Sequence, residues 1–144
     1  MRDSSEVKVK FVYYDIENDL ETESVWAIKV GDNYQIKNIP FFAPNIAYDD
    51  IINVEDDDGE LFFDEIVKES GNSTIQIIVF TETDVSVITK SLEELSCGWE
   101  GSHLKTYISV NVPKHVDYKP VKDFLDQKVR EKVLDYKEAC LAHK

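Results

Sequence analysis

The sequence predicts an α+β fold in two parts: antiparallel β-hairpins forming a small, partly closed barrel, then a β-α-β-α half of ferredoxin-like type. Three observations carry the prediction. The first third of the chain alternates apolar and polar residues with a period of two, broken at turn residues. A second alternating pair flanks Asp58-Gly59. Beyond Ser70-Gly71-Asn72-Ser73 the apolar residues recur at the three- and four-residue spacing of helices. At 144 residues the chain is expected to be one domain, residues 1–144, with a β-rich lobe over 7–69 and a β-α-β-α lobe over 74–141.

Each element has its own signal. From Val7 to Tyr14, Val7, Val9, Phe11 and Tyr13 share one strand face and Lys8 and Lys10 the other. Glu17 to Glu23 reads as a polar connection. Ser24 to Val30 reads as a strand with Trp26, Ile28 and Val30 inward, and Gly31-Asp-Asn33 supplies a tight turn into Tyr34 and Ile36. Pro40 and Pro44 then exclude both helix and central strand from the apolar stretch Ile39–Tyr48. Two readings of that stretch stand: a loop plugging a barrel end with its rings, or an aromatic surface of the kind found at interfaces. A second hairpin is expected from Ile51–Glu55 and Leu61–Val67. Thr74 to Phe80 reads as a central strand, and Asp84 to Cys97 as a helix with stripe Val85, Ile88, Leu92 and Leu95, ended by Gly98. Leu104 to Val112 is another strand. A long helix opening at Asp117 and Pro120 is expected to carry the stripe Val121, Phe124, Leu125, Val129, Val133, Tyr136 and Cys140, before a frayed Ala142-His-Lys tail.

Charge bounds the function. With 16 Lys+Arg against 29 Asp+Glu the formal net charge is −13, so phosphate backbones and anionic membranes repel the chain, and a basic protein is the fitting partner. The charge is concentrated: no Lys or Arg occurs between Asp49 and Val67, where Asp49, Asp50, Glu55, Asp56, Asp57, Asp58, Glu60, Asp64 and Glu65 lie. The run is not a calcium loop, because counting from Asp56 the sixth position is Leu61 rather than Gly and the twelfth is Val67 rather than Glu. Cys97 and Cys140 are too few for a disulfide framework or a zinc site, and no cofactor motif is present. The N-terminal Met-Arg-Asp-Ser-Ser-Glu has no apolar signal core, and a cytoplasmic location is the expectation. Of the three histidines, only His103 has chemical company, in Trp99-Glu-Gly-Ser-His103. A Glu, a Ser and a His in one loop can be read as an acid/base or nucleophilic set, or as a turn before a strand.

The phrases Val30-Gly-Asp-Asn-Tyr34, Asn38-Ile-Pro-Phe-Phe-Ala43, Val54-Glu-Asp-Asp-Asp-Gly-Glu-Leu61 and Trp99-Glu-Gly-Ser-His-Leu104 resemble an uncharacterised bacterial domain-of-unknown-function family over about residues 24–141. The resemblance supplies no catalytic residues. By analogy with other small acidic bacterial proteins, it implies an immunity protein that neutralises a toxin of a contact-dependent inhibition or polymorphic system. The expected partner is a cognate basic toxin domain, a nuclease, bound through Phe42, Tyr48, Asp49, Asp50, Glu55, Asp56, Asp57, Asp58, Glu60 and Asp64. The alternative is a small enzyme or small-molecule binder using the Glu100–His103 loop.

Overall fold

The computed structural model describes residues 5–143 in the order β1 (Glu6–Tyr14), β2 (Leu20–Val30), β3 (Asn33–Ile36), β4 (Ile51–Asp57), β5 (Glu60–Lys68), β6 (Ser73–Val79), α1 (Val85–Glu94), β7 (Gly98–Gly101), β8 (Tyr107–Val112), α2 (Tyr118–Arg130) and β9 (Leu134–Cys140). The fold is mixed α and β with two sheets and two helices. The first four residues, where no signal core was read, lie outside the described residues. Strands β1 to β5 are hydrogen-bonded in a ring: consecutive strands pair antiparallel, and β5 returns to β1 in parallel through Val9–Leu61 and Lys10–Phe62. The second sheet has the order β7-β8-β6-β9, all neighbours antiparallel.

Both predicted hairpins form, and the faces of β1 are as expected. Strand β2 is turned over. Glu23, Val25 and Ala27 point inward, while Trp26 lies on the outside beneath the Lys8 ammonium, 5.2 Å from its ring centre. The pairing decides this: Phe11, Val9 and Val7 oppose Glu23, Val25 and Ala27, and opposed residues share a face. Val25 and Ala27 of β2 therefore enter a ring interior already occupied by the Phe11 side chain, and the Trp26 indole is left on the outer face. The ring core is Val9, Phe11, Val25, Ala27, Ile36 and Ile52, with Phe11 stacked on Phe63 at 4.8 Å.

In the second sheet, β6 is the central strand that its β-branched run predicts, paired to β8 on one side and β9 on the other. Ile75, Ile77 and Val79 of β6 and Ile108, Val110 and Val112 of β8 face the helices, meeting Ile88 and Leu92 of α1 and Val121 and Leu125 of α2. The chain from 131 onward corrects the sequence reading. Val133, Tyr136 and Cys140 fit a helical stripe, yet the helix stops at Arg130 and Leu134–Cys140 is a strand. Lys132 adopts a left-handed φ of 61°, and the bonds Val133 N–H to Lys128 C=O and Lys132 N–H to Val129 C=O close the helix end. No glycine announces that stop. The free edge of β6 supplies the backbone partners that hold β9 as a strand, a long-range term to which periodicity is blind.

Helix α1 ends the same way. Ser96, at φ 68°, is its left-handed residue, with Cys97 N–H on Leu92 C=O, so Gly98 opens β7 instead of capping the helix. Gly98–Gly101 forms strand β7 where the sequence suggests a loop, and β8 begins at Tyr107 after a turn that leaves Leu104 exposed. Because Ser96 and Lys132 carry side chains where glycine is favoured, Ser96→Gly and Lys132→Gly are each expected to stabilise the fold by about 0.5–1 kcal/mol, measured as a rise in urea midpoint.

Candidate functional site

The apolar stretch between β3 and β4 organises the molecule. Residues 37–50 are neither helix nor strand, as their prolines require, and they lie between the two sheets. Ala43 and Ile46 fill the ring core, so small aliphatic side chains form the plug rather than the phenylalanines. The other side of the stretch meets the second sheet on the face opposite its helices. Ser109 Oγ donates to Ile39 C=O at 3.2 Å, Thr74 Oγ1 donates to Ile46 C=O at 2.8 Å, Asn45 N–H donates to Ala139 C=O at 2.8 Å, and the Tyr107 hydroxyl donates to Phe41 C=O.

A buried loop has backbone N–H groups that need acceptors, and carboxylates supply them. Glu23, only 8% exposed, accepts from the N–H groups of Phe41, Phe42 and Ala43 at 2.6, 3.0 and 2.8 Å. Asp50, 2% exposed, accepts from Ala47 and Ser70, and burial raises the pKa of its carboxyl despite those bonds. Glu100 accepts from Ile39 N–H at 2.8 Å. Above the Glu23 carboxylate, Phe42 is stacked between Tyr13 at 5.9 Å and Tyr107 at 5.1 Å, one ring from each sheet. Burial, with the Glu23 charge second, raises the pKa of both tyrosine hydroxyls.

This geometry sorts the expected partner-binding residues into two groups. Phe42, Tyr48, Asp49, Asp50 and Glu60 are engaged within the fold: Phe42 in its stack, Tyr48 beneath the Lys37 ammonium, Asp49 paired with Lys37 at 2.8 Å, and Glu60 with Lys10 at 2.9 Å. Asp56 accepts from Gly59 N–H at 2.8 Å and so shapes the β4–β5 turn, where Asp58 and Gly59 have φ of 58° and 91°. Among the described residues, the carboxylates of Glu55, Asp57, Asp58 and Asp64 have neither hydrogen-bond nor ion-pair partners and stand in solvent. By cross-strand pairing, Glu55 and Asp57 share the outer face with Phe62 and Glu60.

The Glu100–Ser102–His103 set does not converge on one point. The Glu100 carboxylate is turned to the loop backbone, the Ser102 hydroxyl is tied to the carbonyls of Leu104 and Tyr107, and His103 is exposed in the turn. His143, expected in a frayed tail, is instead docked: its ring bonds Ser73 Oγ at 2.6 Å and Pro113 C=O at 2.9 Å and packs on Tyr118. Ser73 also accepts from the backbone of Ala142 and His143, which fixes the tail as far as residue 143; Lys144 lies outside the described residues. A cleft of about 630 Å³ lies beside this tail and is lined by Lys114, Lys119, Lys122, Asp117, Asp123 and Tyr118 among others. Gly71 underlies it at φ 90°, where a Cβ would stand 2.7 Å from the Lys114 stem. Among the described residues no His, Cys, Asp and Glu cluster is grouped to hold a metal ion, and no helix is long and apolar enough to cross a membrane.

A family model described as a domain of unknown function, DUF4265, matches residues 23–136. The chain belongs to the DUF4265 family. The matched span runs from Glu23 to Tyr136, and so includes the Glu23 cradle, the loop, both hairpin strands β4 and β5, and most of the second sheet. A solved structure described as a hypothetical protein from Neisseria gonorrhoeae is similar throughout, with 34% identity, a TM-score of 0.88, and coverage of 99% of this chain and all of that one. No curated protein matches.

Burial pushes both thiols up to about 11 from 9.0. The folded state therefore holds more protons than the unfolded state between those values, and stability present below pH 9 is lost as pH rises through 11. Cys97 alone accounts for about 2 kcal/mol of that loss by pH 11, and the raised Tyr13, Tyr107 and Tyr118 hydroxyls add the same sign from about pH 10 upward. Urea midpoints across alkaline pH are expected to fall, and Cys97→Ser is expected to flatten the early part of that fall.

Proposed function

We propose that this protein is an interaction protein, an immunity protein that neutralises a basic toxin domain, a nuclease, in the cytoplasm, and that the β4–β5 hairpin is its contact. One observation supports the reading most. The fold engages carboxylates at Glu23, Asp50, Asp49, Asp56 and Glu60, yet Glu55, Asp57, Asp58 and Asp64 are left unpaired and exposed on one hairpin. Such a surface imitates a run of phosphates, accelerates encounter with a positive cleft, and repels nucleic acid. The rest of the fold supports it as a rigid base. The order β6-α1-β7-β8-α2-β9 fits a complete split-βαβ, ferredoxin-like unit, and the ring of β1 to β5 fits a small barrel, with the loop joining them.

The test is co-expression with the cognate toxin domain, followed by binding measured at two salt concentrations. Wild-type chain is expected to protect the cells. Glu55→Lys, Asp57→Lys and Asp64→Lys together are expected to abolish protection and weaken binding by about 100-fold at low salt, without changing thermal stability by more than about 1 kcal/mol. Unchanged affinity and unchanged salt dependence would remove the hairpin from the interface.

A further inference from the structure

A second surface stands out once the hairpin tips are compared. No Lys or Arg occurs from residue 11 to 28, a run that holds Asp15, Glu17, Asp19, Glu21 and Glu23. Its turn, between β1 and β2, is built stiffly. The Asp15 carboxylate accepts from Glu17 N–H and Asp19 N–H, both at 2.9 Å; Asp15 N–H bonds Asp19 C=O; and Asn18 takes the left-handed conformation at φ 64°. A turn held this way would be expected to carry polar residues outward. Instead Ile16 is fully exposed at its apex, with Tyr14 68% and Leu20 62% exposed beside it. Behind the tip is an open cleft of about 410 Å³, lined by Tyr13, Tyr14, Asp15, Glu21, Phe42 and Lys137 among others. It reaches back to the Phe42 stack.

We infer that the β1–β2 tip and this cleft form a docking element for a cationic, amphipathic segment of a partner protein, with Ile16 and Leu20 as apolar anchors and Asp15 and Glu21 receiving Lys or Arg. The inference rests on the reading that the partner is basic. Charge selects that occupant from three. An anionic bilayer is repelled by the base-free run, and a second copy of a chain of net charge −13 is repelled likewise. A basic segment is attracted, and the aliphatic stems of its cations can lie on the tyrosine and phenylalanine rings. The stiff turn lowers the ordering cost of binding, which is how a small apolar tip can contribute to affinity.

The probes are two synthetic peptides of equal length and charge, one of Lys and Leu patterned as an amphipathic helix, the other of Lys and Ser, titrated against the full chain. The Lys/Leu peptide is expected to bind about tenfold more tightly. Ile16→Asn with Leu20→Asn is expected to erase that preference and leave the Lys/Ser affinity unchanged; Ile16→Asn alone, at a fully exposed side chain, should reduce it in the same direction. A preference that survives both variants overturns the inference, as does tip-dependent dimerisation of the free chain in sedimentation or tip-dependent binding to phosphatidylserine vesicles. The Glu55→Lys, Asp57→Lys, Asp64→Lys variant separates the two readings. If it keeps full protection and toxin affinity while the tip variant erases the peptide preference, the hairpin contact fails and the tip stands; if it loses protection while the peptide preference survives both tip variants, the tip fails and the hairpin stands.

Discussion

Replacing Glu23 by alanine is expected to destabilise the fold by about 4 kcal/mol, and to lower the urea midpoint more than any other single surface or loop substitution. Three backbone donors are stranded when this carboxylate is lost. The N–H groups of Phe41, Phe42 and Ala43 all end on this one carboxylate, at 2.6 to 3.0 Å, in a place where water cannot replace it without opening the loop. Charge-assisted bonds of that kind are each worth about 1.5–3 kcal/mol, and a buried donor left without a partner costs about 1–3 kcal/mol. Glu23→Gln keeps the shape and one carbonyl oxygen, which can serve two donors, so its cost is expected to be about half. Equal midpoints for wild type and alanine variant would mean that the loop has another way to satisfy its backbone. Amide exchange offers a sharper check: protection at residues 41–43 should drop in Glu23→Ala while that of β6 and β8 is held at the new global stability.

Phe42→Ala is expected to cost about 3 kcal/mol of stability. The ring stacks on Tyr13 from the first sheet and on Tyr107 from the second, so its removal leaves a gap between two bodies rather than a hole within one. The backbone bond from Phe42 to Glu23 is retained, which isolates the effect of the ring. The measurement pairs an equilibrium unfolding curve with partner affinity. Phe42 was expected from the sequence to be an interface anchor. Its place in the stack predicts a large loss of stability, whereas an anchor with no structural duty would lose affinity at unchanged stability.

The pattern of what could be read is itself physical. The acidic hairpin was legible because a two-residue Asp-Gly turn and a base-free run are local facts. Its division into engaged and unpaired carboxylates was not, since Asp50 and Asp57 look alike in sequence and differ only in what packs around them. Glu23 was read as part of a polar connection for the same reason: nothing in Thr22-Glu-Ser24 shows that three amides eighteen to twenty residues away converge on it. The β1–β2 tip could have been found, because Ile16 and Leu20 interrupt a turn that is otherwise polar.

By itself the sequence determined the strand periods of β1 and β8, the β-branched run that makes β6 a central strand, the turns at Gly31 and Asp58-Gly59, the proline exclusion of helix from residues 39–48, the start of α2 at Asp117, and the net charge that sets what the surface can attract. Each of these depends on forces acting within a few residues or on a simple sum. Tertiary structure decided which face of β2 turned inward, that residues 134–140 form an edge strand instead of further turns of α2, and that the proline-bounded loop joins two sheets. Those outcomes depend on the hydrogen-bonding edge of β6, the occupied interior of a five-strand ring, and the need of a buried backbone for acceptors, none of which exists until distant parts of the chain meet.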